Sequence, residues 1–199
     1  EYYNKTYLPH KNLIIKGLFN TVPSKKMKLG EVCEFEYGTR ITKKNDSVSE
    51  DTNNCYPVYG GGGETFFLDK TNRKNRIVIA RFAMSKKCTR FVKGDFFLND
   101  SGLTLSPKTN ELSQNYLDNI ILALNNTIYE MGNGTAQRNL DMKQFRLLKI
   151  SYPYSLSEQQ SIVAKLGMLF TEIKKITDSE LKKKETTKSL IEKINDNIF

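Results

Sequence analysis

A chain of 199 residues with 38% hydrophobic content can bury one core and still carry an appended helical element, so the expectation is one globular domain plus an arm. Its 31 Lys and Arg against 22 Asp and Glu leave a formal net charge of +9, which favours polyanionic partners without specifying nucleic acid. Cys33, Cys55 and Cys88 form no CxxC pair and His10 is the sole histidine, which argues against a zinc site; no run approaches the roughly eighteen apolar residues of a membrane span and no basic-then-apolar leader opens the chain, so a reduced, soluble, cytoplasmic protein is expected.

The distribution of charge says more than its total. Residues 1–30 hold six lysines against Glu1, and residues 61–100 hold nine basic side chains against four acidic ones, a net of +5 in each block. Residues 31–60 are net −3, and residues 101–155 and 156–199 are each only +1, so the positive potential belongs to the globular part and not to the arm. The first residue is Glu1 rather than Met, which leaves open whether the chain is a processed product or a piece of something longer.

In chain order, residues 1–27 mix aromatic, apolar and basic types, with Leu13-Ile14-Ile15 and Leu18-Phe19 as apolar clusters and a break at Val22-Pro23-Ser24. From Lys28, the run Leu29-Gly30-Glu31-Val32 and the alternation through Glu34 and Glu36 predict a short helix or strand that stops at Gly38. Residues 42–55 are polar and turn-rich, an exposed loop of the kind on which recognition is usually placed. Tyr56 to Tyr59, the glycines Gly60 to Gly63, and Glu64 to Leu68 read as strand, turn and strand. Arg76-Ile77-Val78-Ile79-Ala80-Arg81 is a buried strand with β-branched residues between basic ends, and Arg90 to Val92 and Asp95 to Asp100 are two further strands.

The period then changes. Leu117, Ile120, Ile121, Leu124, Ile128 and Met131 share one face at helical spacing, which predicts one amphipathic helix from Asn115 to Met131, ended by Gly132. After the turn Gly132-Asn133-Gly134-Thr135-Ala136-Gln137-Arg138-Asn139-Leu140, a last strand is expected from Phe145 to Tyr152. Leu156-Ser157-Glu158-Gln159-Gln160-Ser161 starts a long helix with Ser157 as N-cap and Gln160 as its reciprocal partner. Within it Ile162, Leu166, Leu169, Ile173 and Ile176 step by four and three, a coiled-coil seam that turns polar at Glu180, Lys183 and Thr187 and resumes at Leu190 and Ile194.

Several catalytic readings lack their residues. The glycine run is not followed by the Lys-Ser/Thr of a phosphate-binding loop, so it reads as a hairpin turn. No Asn/Asp-Pro-Pro-Tyr/Phe segment is present to hold a flipped base for amino methylation. Glu172-Ile173-Lys174 imitates the Glu-x-Lys of a nuclease, but Ile173 lies on the apolar seam and no Pro-Asp precedes it at a suitable distance; Asn99-Asp100-Ser101 reads as a turn after a strand. The better candidates for chemistry are basic side chains beside polar loops: Arg40, Lys43, Lys44, Arg81, Lys86, Lys87, Arg90 and Arg138 for phosphates or guanine edges, then Gln137 and Asn139 for base edges, with Tyr59 and the glycine backbone as a further point of approach to DNA.

The Gly-Thr-Ala-Gln turn at 134–137, followed by the Ser-Glu-Gln-Gln helix start at 157–160, resembles the C-terminal half of a target-recognition unit in type I restriction-modification specificity subunits. The Leu29-Gly30-Glu31 segment and Tyr59-Gly60-Gly61-Gly62 are similar to stretches common in that family. The resemblance implies an α+β fold: a mostly β recognition domain with a packed helix over 1–155, of which 1–27 is an unplaced extension, and a coiled-coil spacer and dimerisation helix over 156–199. It also implies a non-catalytic chain that reads one half of a split double-stranded DNA site and directs modification subunits to it, with a restriction subunit as a further candidate partner. Such a chain carries no cofactor; S-adenosylmethionine belongs to the modification subunit. A full subunit of this family has two recognition domains and two helices and this chain one of each, so a homodimer through the helix is expected. Two alternatives stay open: a recognition domain of a larger fused methyltransferase or nuclease, and a decoy that occupies modification subunits without binding DNA.

Overall fold

The structure is a computed structural model that describes residues 17, 23–41, 48–49 and 55–196. Its centre is a six-stranded sheet of β2 (Cys33–Tyr37), β3 (Tyr56–Gly60), β4 (Gly63–Leu68), β5 (Arg73–Ala80), β6 (Thr89–Leu98) and β7 (Gly102–Pro107) in the order β2-β7-β5-β6-β3-β4. All pairings are antiparallel except β3 with β6. Alternation on β5 sorts its side chains to two faces. Ile77 and Ile79 join the larger core, whereas Val78 joins Val92, Phe96 and Leu98 in a second cluster. β6 is one continuous strand where two were expected; Gly94, at φ +82°, carries it past the bulge opposite Asn75.

The larger core is closed by helices. Leu29 and Val32 of α1 (Leu29–Val32) and Tyr116, Leu117, Ile120 and Ile121 of α2 (Gln114–Ala123) pack on Ile77, Ile79, Leu103 and Leu105. The single helix expected over 115–131 is two, because α2 ends at Leu124 and α3 (Asn125–Glu130) starts afresh. At the break the Asn125 side chain leaves the helix to accept from the Thr89 N–H and hydroxyl, both at 3.0 Å, and to donate to the Lys86 carbonyl at 2.8 Å.

The strand expected over 145–152 begins later than anticipated. Asp141 accepts from the N–H groups of Lys143 and Gln144 and caps α4 (Met142–Leu147), which buries Phe145, and only then does β10 (Lys149–Pro153) follow. β10 pairs with β1 (Ser24–Lys28), a strand where the sequence had suggested only a break, and the short β8 (Gly132–Asn133) and β9 (Asn139–Leu140) form the hairpin of the Gly-Thr-Ala-Gln turn. β7, which places Leu103, Thr104 and Leu105 in the interior, has no counterpart among the expected strands.

The last element, α5 (Leu156–Asp196), has 41 residues and so measures about 60 Å. Its cap is not Ser157: the Ser155 hydroxyl accepts from the Ser157 N–H at 3.2 Å, and Gln160 is exposed while Gln159 is buried. Ile162 and Leu166, expected on a partner seam, belong instead to the core of the domain. Past them Leu169 and Ile176 are exposed, and the side chains of Ile173, Leu190 and Ile194 lie outside the described residues.

One carboxyl is buried in this core without a full ion pair. Burial lifts Asp118 from its ordinary value to about 6, against the Gln114 amide, which donates to it at 2.7 Å, and the Arg76 charge. A raised pKa favours the fold at low pH, and that contribution is lost as pH rises from about 4 through about 6. Asp118→Asn, which keeps the acceptor, is therefore expected to match the native chain near pH ~3.5 and to exceed it by about 3 kcal/mol near pH ~7, as read by urea denaturation at both values.

Candidate nucleic-acid interface

β5 ends at Ala80, and its continuation organises a set of loops. The Arg81 N–H donates to the Ser101 carbonyl at 2.8 Å, and the Arg81 carbonyl accepts from Leu140 at 2.8 Å. The Met84 N–H bonds the Arg138 carbonyl at 2.8 Å, and the Asn139 side-chain oxygen accepts from Ala83 at 3.2 Å, so the loop after β5 is zipped to the 132–140 hairpin. From the other side, Gly38 and Thr39 donate to the carbonyls of Gly102 and Leu98 at 3.1 and 2.9 Å, which brings the chain before Arg40 to the same place.

The glycine run completes the cluster as a hairpin turn, as expected. The Gly61 N–H donates to the Ser101 hydroxyl at 2.9 Å, and a Cβ at Gly61 would press on the carbonyls of Phe82 and Ser101 at 3.0 Å. Asn99-Asp100-Ser101 is the turn between β6 and β7, closed by the Asn99 side chain on the Ser101 N–H at 2.9 Å. Five segments far apart in sequence thus meet: the end of β2, the β3–β4 turn, residues 81–90, the β6–β7 turn and the 132–140 hairpin.

Of the candidate arginines, Arg81 and Arg90 tie one of these loops to another, and Arg138 ties its hairpin to α3. Arg81 donates to the Asp100 carbonyl at 2.9 Å, and its guanidinium lies over the rings of Tyr37 and Phe82, 4.4 and 4.8 Å from their centres. Arg90 donates to the carbonyls of Gly61 at 2.9 Å and Lys87 at 3.2 Å, and burial lowers its pKa. Arg138 donates to the carbonyls of Tyr129 and Glu130 at 3.0 and 3.2 Å, with its guanidinium 4.7 Å over the Tyr129 ring. Tyr59 donates to Glu64 at 2.8 Å, and burial and that bond raise its pKa.

Arg40, Lys86, Lys87, Gln137 and Asn139 are exposed on these segments, together with Thr135 and Ala136; Lys43 and Lys44 lie outside the described residues. Sequence reasoning missed Tyr37, Phe82 and Arg146. The two rings are 42% and 41% exposed although each packs on Arg81, and Arg146 donates to the Tyr37 hydroxyl at 3.4 Å while lying over Phe35. No local spacing marks them, because the stack is assembled from β2, the loop after β5 and α4.

Burial pushes the Cys33 and Cys88 thiols up to about 12 and about 11, which keeps them protonated, and no three His, Cys, Asp or Glu side chains among the described residues group as a metal site requires. Loops bearing exposed basic side chains thus gather at one edge of a mixed, mostly antiparallel sheet, and a long helix follows the last strand. Residues 21–183 match the type I restriction modification DNA specificity domain, and the chain belongs to that family.

Among solved structures, the chain is similar to the S subunit of a type I restriction-modification system from M. genitalium (TM-score 0.66, 19% identity, covering 80% of this chain and 42% of that one). It is also similar to the HsdS subunit from Thermoanaerobacter tengcongensis (TM-score 0.61, 15% identity, 86% and 46%). A third similar chain comes from a structure describing complex assembly and conformational transition of the type I R-M system (TM-score 0.70, 17% identity, 92% and 50%). The chain therefore spans about half the length of these relatives, and the likeness establishes the fold. No curated protein matches it.

Because Arg90 ties two loop carbonyls, Arg90→Met is expected to cost about 2 kcal/mol in denaturant unfolding. Lys86→Ala and Lys87→Ala, at exposed positions, are expected to change stability by less than about 0.5 kcal/mol.

Proposed function

We propose that the chain is a DNA sequence-specificity half-subunit of a type I restriction-modification system, non-catalytic and cytoplasmic. The observation that carries this reading is the match of residues 21–183 to the specificity-domain family, joined to the convergence of five loops that bear Arg40, Lys86, Lys87, Gln137 and Asn139. The exposed cations contact phosphates, Gln137 reaches base edges, and Asn139, whose oxygen is held by the Ala83 N–H, offers its amide nitrogen as a donor beside it, with Lys43 and Lys44 as further phosphate contacts. Arg81, Arg90 and Arg138 add positive potential while shaping the loops. No helix among the described residues is long and apolar enough to cross a membrane.

The domain through residue 155 reads one half of a split site and the helix from 156 spaces it from the other. Exposed Leu169 and Ile176 support a coiled coil there, with a second copy as partner, and Ile173, Leu190 and Ile194 extend the same sequence seam. Two identical readers on a two-fold axis require a palindromic split site. Modification subunits dock on this dimer, bind S-adenosylmethionine and flip the adenine to be methylated, and a restriction subunit joins the same assembly.

The test is a single-base methylome of cells expressing a modification subunit with and without this chain. New N6-methyladenine in a split palindrome, seen only with the chain, is the expected result. A motif with unlike halves would replace the homodimer by pairing with a different recognition domain. A complex that forms without new methylation would leave the decoy reading, and catalytic sequence joined upstream in the gene would favour the fused enzyme. In binding assays, Lys86→Ala with Lys87→Ala is expected to weaken DNA binding across sequences and to reduce the slope of log affinity against log salt by about 2 per bound copy, about 4 for the dimer.

A further inference from the structure

Gln159 has 0% of its surface exposed, one turn into a helix whose far side faces solvent. Its side-chain oxygen accepts from the Ser113 N–H at 2.9 Å, and its amide nitrogen donates to the Glu111 carbonyl at 2.7 Å and the Pro153 carbonyl at 3.0 Å. Both amide donors and the acceptor are thus used on main-chain groups of two other segments, the loop that caps α2 and the end of β10. That loop is braced again from β1, where Lys25 meets Glu111 at 2.7 Å. The neighbouring Gln160 is exposed.

Ile162 and Leu166, 4% and 1% exposed, hold the helix against the core, but apolar burial has no direction and tolerates sliding and tilt. Hydrogen bonds weaken steeply with angle, so three of them converging on one amide fix the orientation that Ile162 and Leu166 leave free. Beyond Leu166 the helix runs on for about 45 Å, and a tilt of about 4° at its root moves its far end by about 3.4 Å, the rise of one base pair.

We infer that Gln159 is the positioning residue that fixes the angle at which α5 leaves the recognition domain and, through that angle, the number of unread base pairs between the two halves of the target site. This rests on the split-site reading above. The three bonds act as a clamp at the root of a lever, so the spacing is set inside the domain as well as by helix length.

The experiment uses the full chain carrying Cys55→Ser with spin labels at Lys70→Cys and Lys182→Cys, both exposed positions, diluted with unlabelled chain so that only distances within one chain are read by double electron–electron resonance. Gln159→Met, which keeps the length of the side chain and loses all three bonds, is expected to broaden or shift the distribution by about 2 Å or more, since Lys182 lies about 24 Å beyond Leu166, while Gln160→Ala leaves it unchanged. Gln159→Glu keeps an acceptor for Ser113 but sets a carboxylate against two carbonyls; its distribution is expected to broaden and to narrow again as acid protonates the carboxyl, a reversal that unfolding would not give.

In the methylome, Gln159→Met is expected to keep the half-site bases and to admit spacers that differ by one or more base pairs. Distance distributions identical to native in both Gln159 variants overturn the inference and leave the DNA-specificity reading intact. A native chain that gives a narrow distribution but no sequence-selective methylation overturns that reading instead, and with it the link from helix angle to DNA spacing.

Discussion

The end of β5 is the constraint on which the rest of the molecule depends. Within the strand, alternate residues serve two cores, Ile77 and Ile79 under the helices and Val78 against Phe96 and Leu98. One residue past the strand, the main chain of Arg81 is bonded on one side to Ser101 and on the other to Leu140. A strand whose last four residues are all buried therefore carries the loops, and their positions inherit the rigidity of the core.

The arginines of the site bear out this division of labour. A guanidinium that donates to main-chain carbonyls, as those of Arg81, Arg90 and Arg138 do, holds a loop in shape whatever the neighbouring side chains are. The exposed positions between these ties, among them Lys86, Lys87 and Gln137, are then open to change without loss of the framework. The half-buried Glu36 network behaves similarly: burial pushes its carboxyl up, but bonds from Ser106 and Thr104 and the charges of Arg76 and Arg73 outweigh this and hold the pKa below its ordinary value.

The long helix joins two kinds of interaction along one element. Its first turns are domain core, through Gln159, Ile162 and Leu166, and its later turns present Leu169 and Ile176 to solvent. The unbroken four-three spacing conceals that change, since a residue buried against its own domain and one awaiting another helix follow the same period.

Local chemistry was legible in the sequence. The β-branched run at 76–80, the glycine turn, the loop at 99–101, the long helix and the family-specific turn at 134–137 each depend on residues adjacent in the chain, and composition with period suffices to find them. Tertiary contacts decided the rest. Asn125 breaks a helix because Thr89 and Lys86 offer its side chain better partners, Asp141 caps a helix where a strand was expected, and β1 is a strand only because β10 lies beside it. Ser157 and Gln160 looked like the cap of the last helix, yet Ser155 caps it and Gln159 anchors it, for reasons that lie in Ser113, Glu111 and Pro153. Sequence by itself determined which segments could form and what they were composed of; which groups each would face was decided by the fold, because hydrogen bonds and burial depend on neighbours in space that no local pattern encodes.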